Sequence, residues 1–220
     1  FIDVHGHPFP TVISDLTQLV SEMDSLNMAF MINLSGFRGL YLKKSLENVK
    51  KNAPTRFGLF LNLDFEKIDE NDFESNTLKI INDSYNQGVM GLKIYKSLGL
   101  TDKDSNGNRI KINDPRLKPI WELCGKLKIP ILIHSGDPEP FWSDKDKYNE
   151  RWLELRQKPG RYMGDSNIYP SFKEVISEQH DIFENNPGTI FINAHLGWMG
   201  NDLDALSKHL DKYPNVMTEI

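Results

Sequence analysis

Cysteine is all but missing: Cys124 is the single thiol in 220 residues. One thiol excludes an intramolecular disulfide and an all-cysteine metal site, and it suits a reducing compartment without establishing one. Basic residues are outnumbered, 26 Lys and Arg against 31 Asp and Glu, for a net charge of −5. A nucleic-acid partner calls for a basic stripe or patch, so none is expected. No stretch of about 18 consecutive apolar residues occurs, so no membrane partner is expected either. No Gly-x-Gly-x-x-Gly follows the first strand-like segment, which argues against a doubly wound dinucleotide fold. Internal repeats and low-complexity tracts are also lacking. The chain opens on Phe1 rather than Met and is already strand-like there. Native sequence is therefore expected upstream, any signal peptide would lie in it, and localisation, cytoplasmic or exported, is unreadable.

What is present suffices for a sizeable core. Hydrophobic residues make up 39% of the chain, with 12 Phe, 7 Tyr and 4 Trp. Residues 1–220 read as one domain in which short apolar segments alternate with helical periodicity. Strand patterns fall at residues 1–4, 28–34 (MAFMINL), 57–63 (FGLFLNL), 89–95 (VMGLKIY), 129–133 (IPILI), 189–193 (TIFIN) and 216–220. Between them, Leu16, Leu19, Val20, Met23 and Leu26 recur at helical spacing with Ser14 as the expected N-cap. Further helices are expected over about 39–51, 72–87, from Asp114-Pro115 onward, up to about 185, and 202–212. Asp114 before Pro115, Ser171 three residues before Glu174, and Gly88 after the 72–87 pattern are helix start and stop signals. Residues 136–170 read as an aromatic and charged insertion after the fifth strand. Continuous apolar strands, each followed by a helix, specify a parallel sheet covered by helices. Seven such units in series predict an α/β fold, a (β/α)8 TIM barrel whose eighth strand is expected beyond Ile220.

Histidine placement carries the chemistry. In such a barrel the reactive groups gather at the C-terminal ends of the strands. Four of the six histidines fall there: His5 and His7 after strand one, His134 after strand five and His195 after strand six. His5 and His7 are two residues apart, so in extended chain both rings project from one face, with Gly6 between them leaving room. A third imidazole from His134 would complete three nitrogen ligands, leaving a position open for water, as in catalytic zinc sites. Imidazole suits zinc and also iron or nickel. The expected cofactor is therefore a divalent metal, zinc first, with His5, His7 and His134 as its ligands. His180 and His209 lie on helices and are expected to be solvated, and Cys124 sits on an apolar helix face as a core residue. Lys93, near the end of an apolar strand, has two readings. Its charge points into the mouth as a ligand or substrate contact, or it snorkels to the rim.

Residues 1–7 (FIDVHGH), 129–138 (IPILIHSGDP) and 190–198 (IFINAHLGW) together resemble the amidohydrolase superfamily. Within it they are most similar to the amidohydrolase-related branch of metal-dependent barrel hydrolases and decarboxylases. The resemblance spans essentially the whole chain. It implies that His5, His7 and His134 bind metal and that His195 either polarises the substrate or binds a second metal. It also implies that Lys93 occupies the strand on which binuclear relatives place a carboxylated lysine. An aspartate after strand eight, expected past Ile220, would complete the metal site, so activity of residues 1–220 alone is in question. The activity expected from these residues is hydrolysis of a small-molecule amide, ester or lactone by metal-activated water, with His195 and Lys93 as the catalytic candidates. The first alternative is decarboxylation of a small carboxylic acid, for which Trp142, Arg151 and Arg161 in the insertion would bind a planar anion. The second is a non-catalytic binding domain on the same barrel, although four strand-end histidines have no use in one. Barrels of this kind are often homodimers, and a small-molecule substrate is the expected partner.

Overall fold

The computed structural model describes residues 1–8 and 15–220. Its seven strands are β1 (Ile2–Gly6), β2 (Phe30–Asn33), β3 (Phe57–Asn62), β4 (Gly91–Ile94), β5 (Ile131–Ile133), β6 (Phe191–Asn193) and β7 (Val216–Thr218). Every neighbouring pair is parallel, and the strands lie side by side in chain order. This is a partial TIM barrel, a curled parallel sheet alternating with helices. The helices are α1 (Thr17–Ser25), α2 (Gly39–Asn52), α3 (Phe73–Gln87), α4 (Lys118–Leu127), α5 (Trp152–Gln157), α6 (Phe172–Asn185) and α7 (Leu203–Lys212). No described helix is long and apolar enough to cross a membrane.

Local signals place the helix ends. Ser171 and Glu174 form both hydrogen bonds of a capping box at the start of α6. Gly88 closes α3 in the left-handed region, with φ of 107°. Asp114 accepts from the Arg116 N–H, and Pro115 begins a short 3-10 turn that runs into α4. The expected cap Ser14 lies outside the described residues; in the chain described, α1 begins without a side-chain cap, and Asp15 accepts from the Thr17 N–H at 2.9 Å. The insertion holds more regular structure than its composition predicts, with α5 between 3-10 turns at Glu139–Trp142 and Pro159–Arg161.

The core has two layers. Between sheet and helices lie Leu59, Leu61, Leu92, Ile94, Ile131, Ile133 and Phe191, facing residues such as Trp121, Cys124 and Ile182. Inside the curl, Ile32, Leu34, Phe60, Leu132 and Ala194 pack with Val4, Phe30 and Ile192. Register puts Lys93 beside Asn62 and Leu132, so it belongs to the inner layer. Gly91 makes that layer fit: a Cβ there would lie 2.4 Å from the Phe60 ring. Gly91→Ala is expected to cost about 1–3 kcal/mol by overpacking, measured by urea unfolding. An unchanged midpoint would show that Phe60 can move aside.

An irregularity in β1 sets the direction of His5. Between Asp3 and Gly6 the β1 register advances three residues while β2 advances two, a bulge. A pleated strand sends neighbouring side chains to opposite faces. With the extra residue, Val4 packs in the inner layer and His5 turns to the mouth as well.

Candidate metal centre

Four strand ends build the site. His5 comes off the β1 bulge, His134 directly follows β5, His195 lies two residues after β6, and Glu219 directly follows β7. His5 and His195 stack with ring centroids 4.7 Å apart, and His134 meets His195 edge-on at 4.7 Å. His5 and His134 are 5.8 Å apart. One nitrogen from each of the three lies within 4.8 Å of the other two, the spacing of a metal-ligand set among the described residues. The structure thus gathers His5, His134 and His195. His7 is adjacent, 5.4 Å from His5 between centroids, but its Nδ1 is 2.8 Å from the Ser35 hydroxyl and its ring stacks on Tyr95.

His195 is held by unusual backbone. His195, Leu196, Gly197 and Trp198 all have positive φ, between 55° and 63°. A left-handed residue other than glycine costs roughly 1–2 kcal/mol, so three of them need support. The Leu196 N–H donates to the Glu219 carbonyl at 2.8 Å, and the His195 N–H donates to Glu219 Oε1 at 2.9 Å. The Trp198 indole N–H donates to the Ser135 carbonyl at 2.8 Å, and its ring lies 5.0 Å from His195 and 5.6 Å from His134. Gly197 is obligatory, since a Cβ would lie 2.5 Å from the Asn193 amide.

The electrostatics favour neutral imidazoles. Burial first, then Lys93 and the neighbouring histidines, push the His134 pKa down to about 2. Burial also lowers His7 and His195. Lys93 is buried in the inner layer; burial brings its pKa down to about 7, against the pull of Glu219. Its Nζ lies 3.3 Å from His5 Nε2 and 5.5 Å from the Tyr95 ring centre. Of the two readings of Lys93, the inward one matches this placement; its ammonium does not reach the rim. Burial works to raise Glu219, yet its hydrogen bonds with the His5 side chain and the His195 backbone hold it below the ordinary carboxylate value.

A neutral imidazole with an unused nitrogen is what a transition metal requires. His134 Nε2 is buried and has no hydrogen-bond partner. A buried polar atom left so costs about 1–3 kcal/mol, and a cation between His134, His5 and His195 would satisfy it. The residues present therefore fit a divalent metal.

The insertion residues are placed differently. The Trp142 indole N–H donates to the Pro170 carbonyl at 2.8 Å, and its ring packs on Phe172. Arg151 and Arg161 both pair with Glu154, in the first turn of α5. Arg151 alone also borders a cleft of 470 Å³ that reaches His195, Trp198 and Gly200. His180 and His209 correct the sequence reading. His209 is buried, at 6% exposed, and His180 is half-buried; the two rings lie 4.6 Å apart where α6 meets α7. The helical periodicity of α7 already puts His209 on the face of Leu206, which was the available signal. Glu219 and Trp198 were missed; Trp198 ends the 190–198 motif, which gave a signal, whereas no motif marks Glu219.

The model of the amidohydrolase family matches residues 67–220, well over half of the chain. The chain belongs to the amidohydrolase family. Members of this family are generally metal-dependent, in keeping with the histidine cluster. No curated protein sequence matches this amidohydrolase. Solved structures similar to it include dihydroorotase from Campylobacter jejuni, 16% identical, covering 100% of this chain and 53% of that one, TM-score 0.51. They include 5-carboxyvanillate decarboxylase from Sphingomonas paucimobilis, 14% identical over 96% of this chain and 63% of that one, TM-score 0.51. A third is 4-oxalomesaconate hydratase from Rhodopseudomonas palustris, 12% identical over 99% of this chain and 73% of that one, TM-score 0.53. At such identities the likeness is one of fold. This amidohydrolase spans between 53% and 73% of the length of these three structures.

Proposed function

We propose that this amidohydrolase is a metal-dependent hydrolase of a small-molecule amide, ester or lactone, with zinc as the first choice of metal. The observation that carries the reading is the buried, partnerless Nε2 of His134 in a ring clustered with those of His5 and His195. His5 and His134 form the fixed pair of ligands. His195 is the third imidazole within reach, and His7, which the sequence spacing pairs with His5, is the fourth. A bound divalent ion would supply an acidified water and polarise the bond to be cleaved.

The chain's own residues supply the rest. Lys93, poised near neutrality beneath His5, holds or releases a proton at Nζ within the physiological range. The Trp198 ring packs against His134 and His195, 5.6 Å and 5.0 Å away between centroids. His195 is the most open of the three clustered rings, its side chain 36% exposed. If His7 rather than His195 completes the ligand set, His195 is the imidazole left to touch substrate, and a group stabilising developing negative charge is typically worth about 100- to 1000-fold in kcat.

A second reading, decarboxylation of a small carboxylic acid, is favoured by Arg151 on the cleft shared with His195. Ester, lactone and amide cleavage, assayed beside carbon dioxide release from small aromatic and dicarboxylic acids, separates the two. Carbon dioxide release with no cleavage would overturn hydrolysis. Metal analysis of His7→Ala and His195→Ala assigns the third ligand: loss of the ion from His195→Ala alone is expected. Loss from His7→Ala alone would return the ligand set to the sequence spacing.

A further inference from the structure

Glu219 has no part in the hydrolytic reading, yet it touches two of the three clustered histidines. Its Oε1 lies 2.6 Å from His5 Nδ1, accepts the His195 N–H at 2.9 Å and lies 3.5 Å from His195 Nδ1. Its side chain is 8% exposed, and its main chain is tied down on both sides: its carbonyl takes the Leu196 N–H, and its N–H reaches the Asn193 carbonyl at 3.4 Å. Glu219 is not itself one of the residues whose ligand atoms converge; those are His5, His134 and His195.

Hydrogen-bond chemistry fixes the proton of His5. An ionised carboxylate can only accept, so the 2.6 Å contact requires a proton of His5 to sit on Nδ1. That leaves the Nε2 lone pair of His5 free to face a cation. Lys93 Nζ lies 3.3 Å from that nitrogen. In addition, one oxygen holds both the His5 ring and the backbone of His195, the first residue of the left-handed turn.

We infer that Glu219 is the positioning residue of the centre: it fixes His5 in the Nδ1–H tautomer and ties it to the backbone that carries His195, setting the pair to receive one cation. The inference rests on the metal reading for its purpose but not for its first test. Carboxylate–histidine–metal pairs of this kind are typically worth about 10- to 100-fold in metal affinity.

The experiment uses the purified protein freed of metal by chelator, with 15N-labelled histidine. In the wild type, the His5 resonances, assigned with His5→Gln, are expected to show a protonated Nδ1 and an unprotonated Nε2. Glu219→Ala is expected to lose that pattern and to bind added zinc about 10- to 100-fold more weakly. Glu219→Gln, which keeps an acceptor without the charge, is expected to keep the tautomer and lie between the two in affinity. It also serves if Glu219→Ala does not fold. An unchanged tautomer and unchanged zinc affinity in Glu219→Ala overturn the inference, as does a wild-type His5 protonated on Nε2. If the wild type shows the Nδ1–H tautomer but takes up no zinc, the metal reading falls while the placement of the His5 proton stands.

Discussion

His134→Ala is expected to empty the metal centre, with at least a 100-fold loss of zinc affinity and no measurable hydrolysis. The ring contributes the one nitrogen of the three-histidine cluster that is buried and unclaimed by any protein group. Losing an outer partner of a metal-bound histidine already costs about 10- to 100-fold, so losing the ligand itself must cost more. Zinc content by elemental analysis, with folding checked by circular dichroism, reads the outcome directly. A folded His134→Ala that retains its zinc would sink the three-histidine centre. The same variant has a signature in pH. The folded state keeps His134 neutral down to about pH 2, whereas the unfolded chain takes up a proton below about 6.5. The unfolded state therefore binds more protons throughout that window, and metal-free wild type loses stability as pH falls from about 6.5 toward 2. Metal-free His134→Ala lacks this contribution and should lose less over the same range.

Lys93→Met is expected to stabilise the metal-free protein on the order of 5 kcal/mol below about pH 7, with the gain vanishing as pH approaches 10.5. Lys93 is 1% exposed and its pKa falls to about 7 inside the barrel. Between pH 7 and 10.5 the unfolded chain holds the proton and the folded chain does not, so wild-type stability rises with pH there. Below pH 7 the folded protein carries the full cost of a buried ammonium. Methionine has similar length and no charge, and buried ionic groups replaced by apolar ones of like volume often gain stability. Urea unfolding at pH 6 and pH 10 measures the difference. A pH-independent effect, or a loss of stability, would show that the ammonium is satisfied within the barrel. Such a residue is kept against its stability cost, consistent with use of its proton in the reaction.

How far the sequence leads can be judged from particular residues. His134 and His195 meet in the structure because each follows an apolar strand in an unbroken alternation, and parallel strands deliver their ends to one mouth. His7 shows the limit. A two-residue spacing assumes regular pleating, but the β1 bulge and the Ser35 hydroxyl give His5 and His7 different neighbours. Glu219 was invisible because its role depends on which strand β7 lies beside, and on a left-handed turn that no residue type announces except Gly197. The interleaved arginines and aromatics of the insertion read as a binding surface. Yet Arg161 and Trp142 are spent on the insertion's own packing, a distinction set by tertiary contact. His180 and His209 were taken as solvated because polar neighbours in sequence hid the interface between α6 and α7.

The extra residue in β1 makes the tolerance for changes in chain length very uneven. Deleting Val4, inside the bulge, would restore even pleating and swing the first imidazole out of the mouth. A deletion of the same size in the turn at residues 144–149 moves no group of the centre. A scan of single-residue deletions scored for zinc retention should therefore show a sharp intolerant window in the first strand and a permissive one in the insertion.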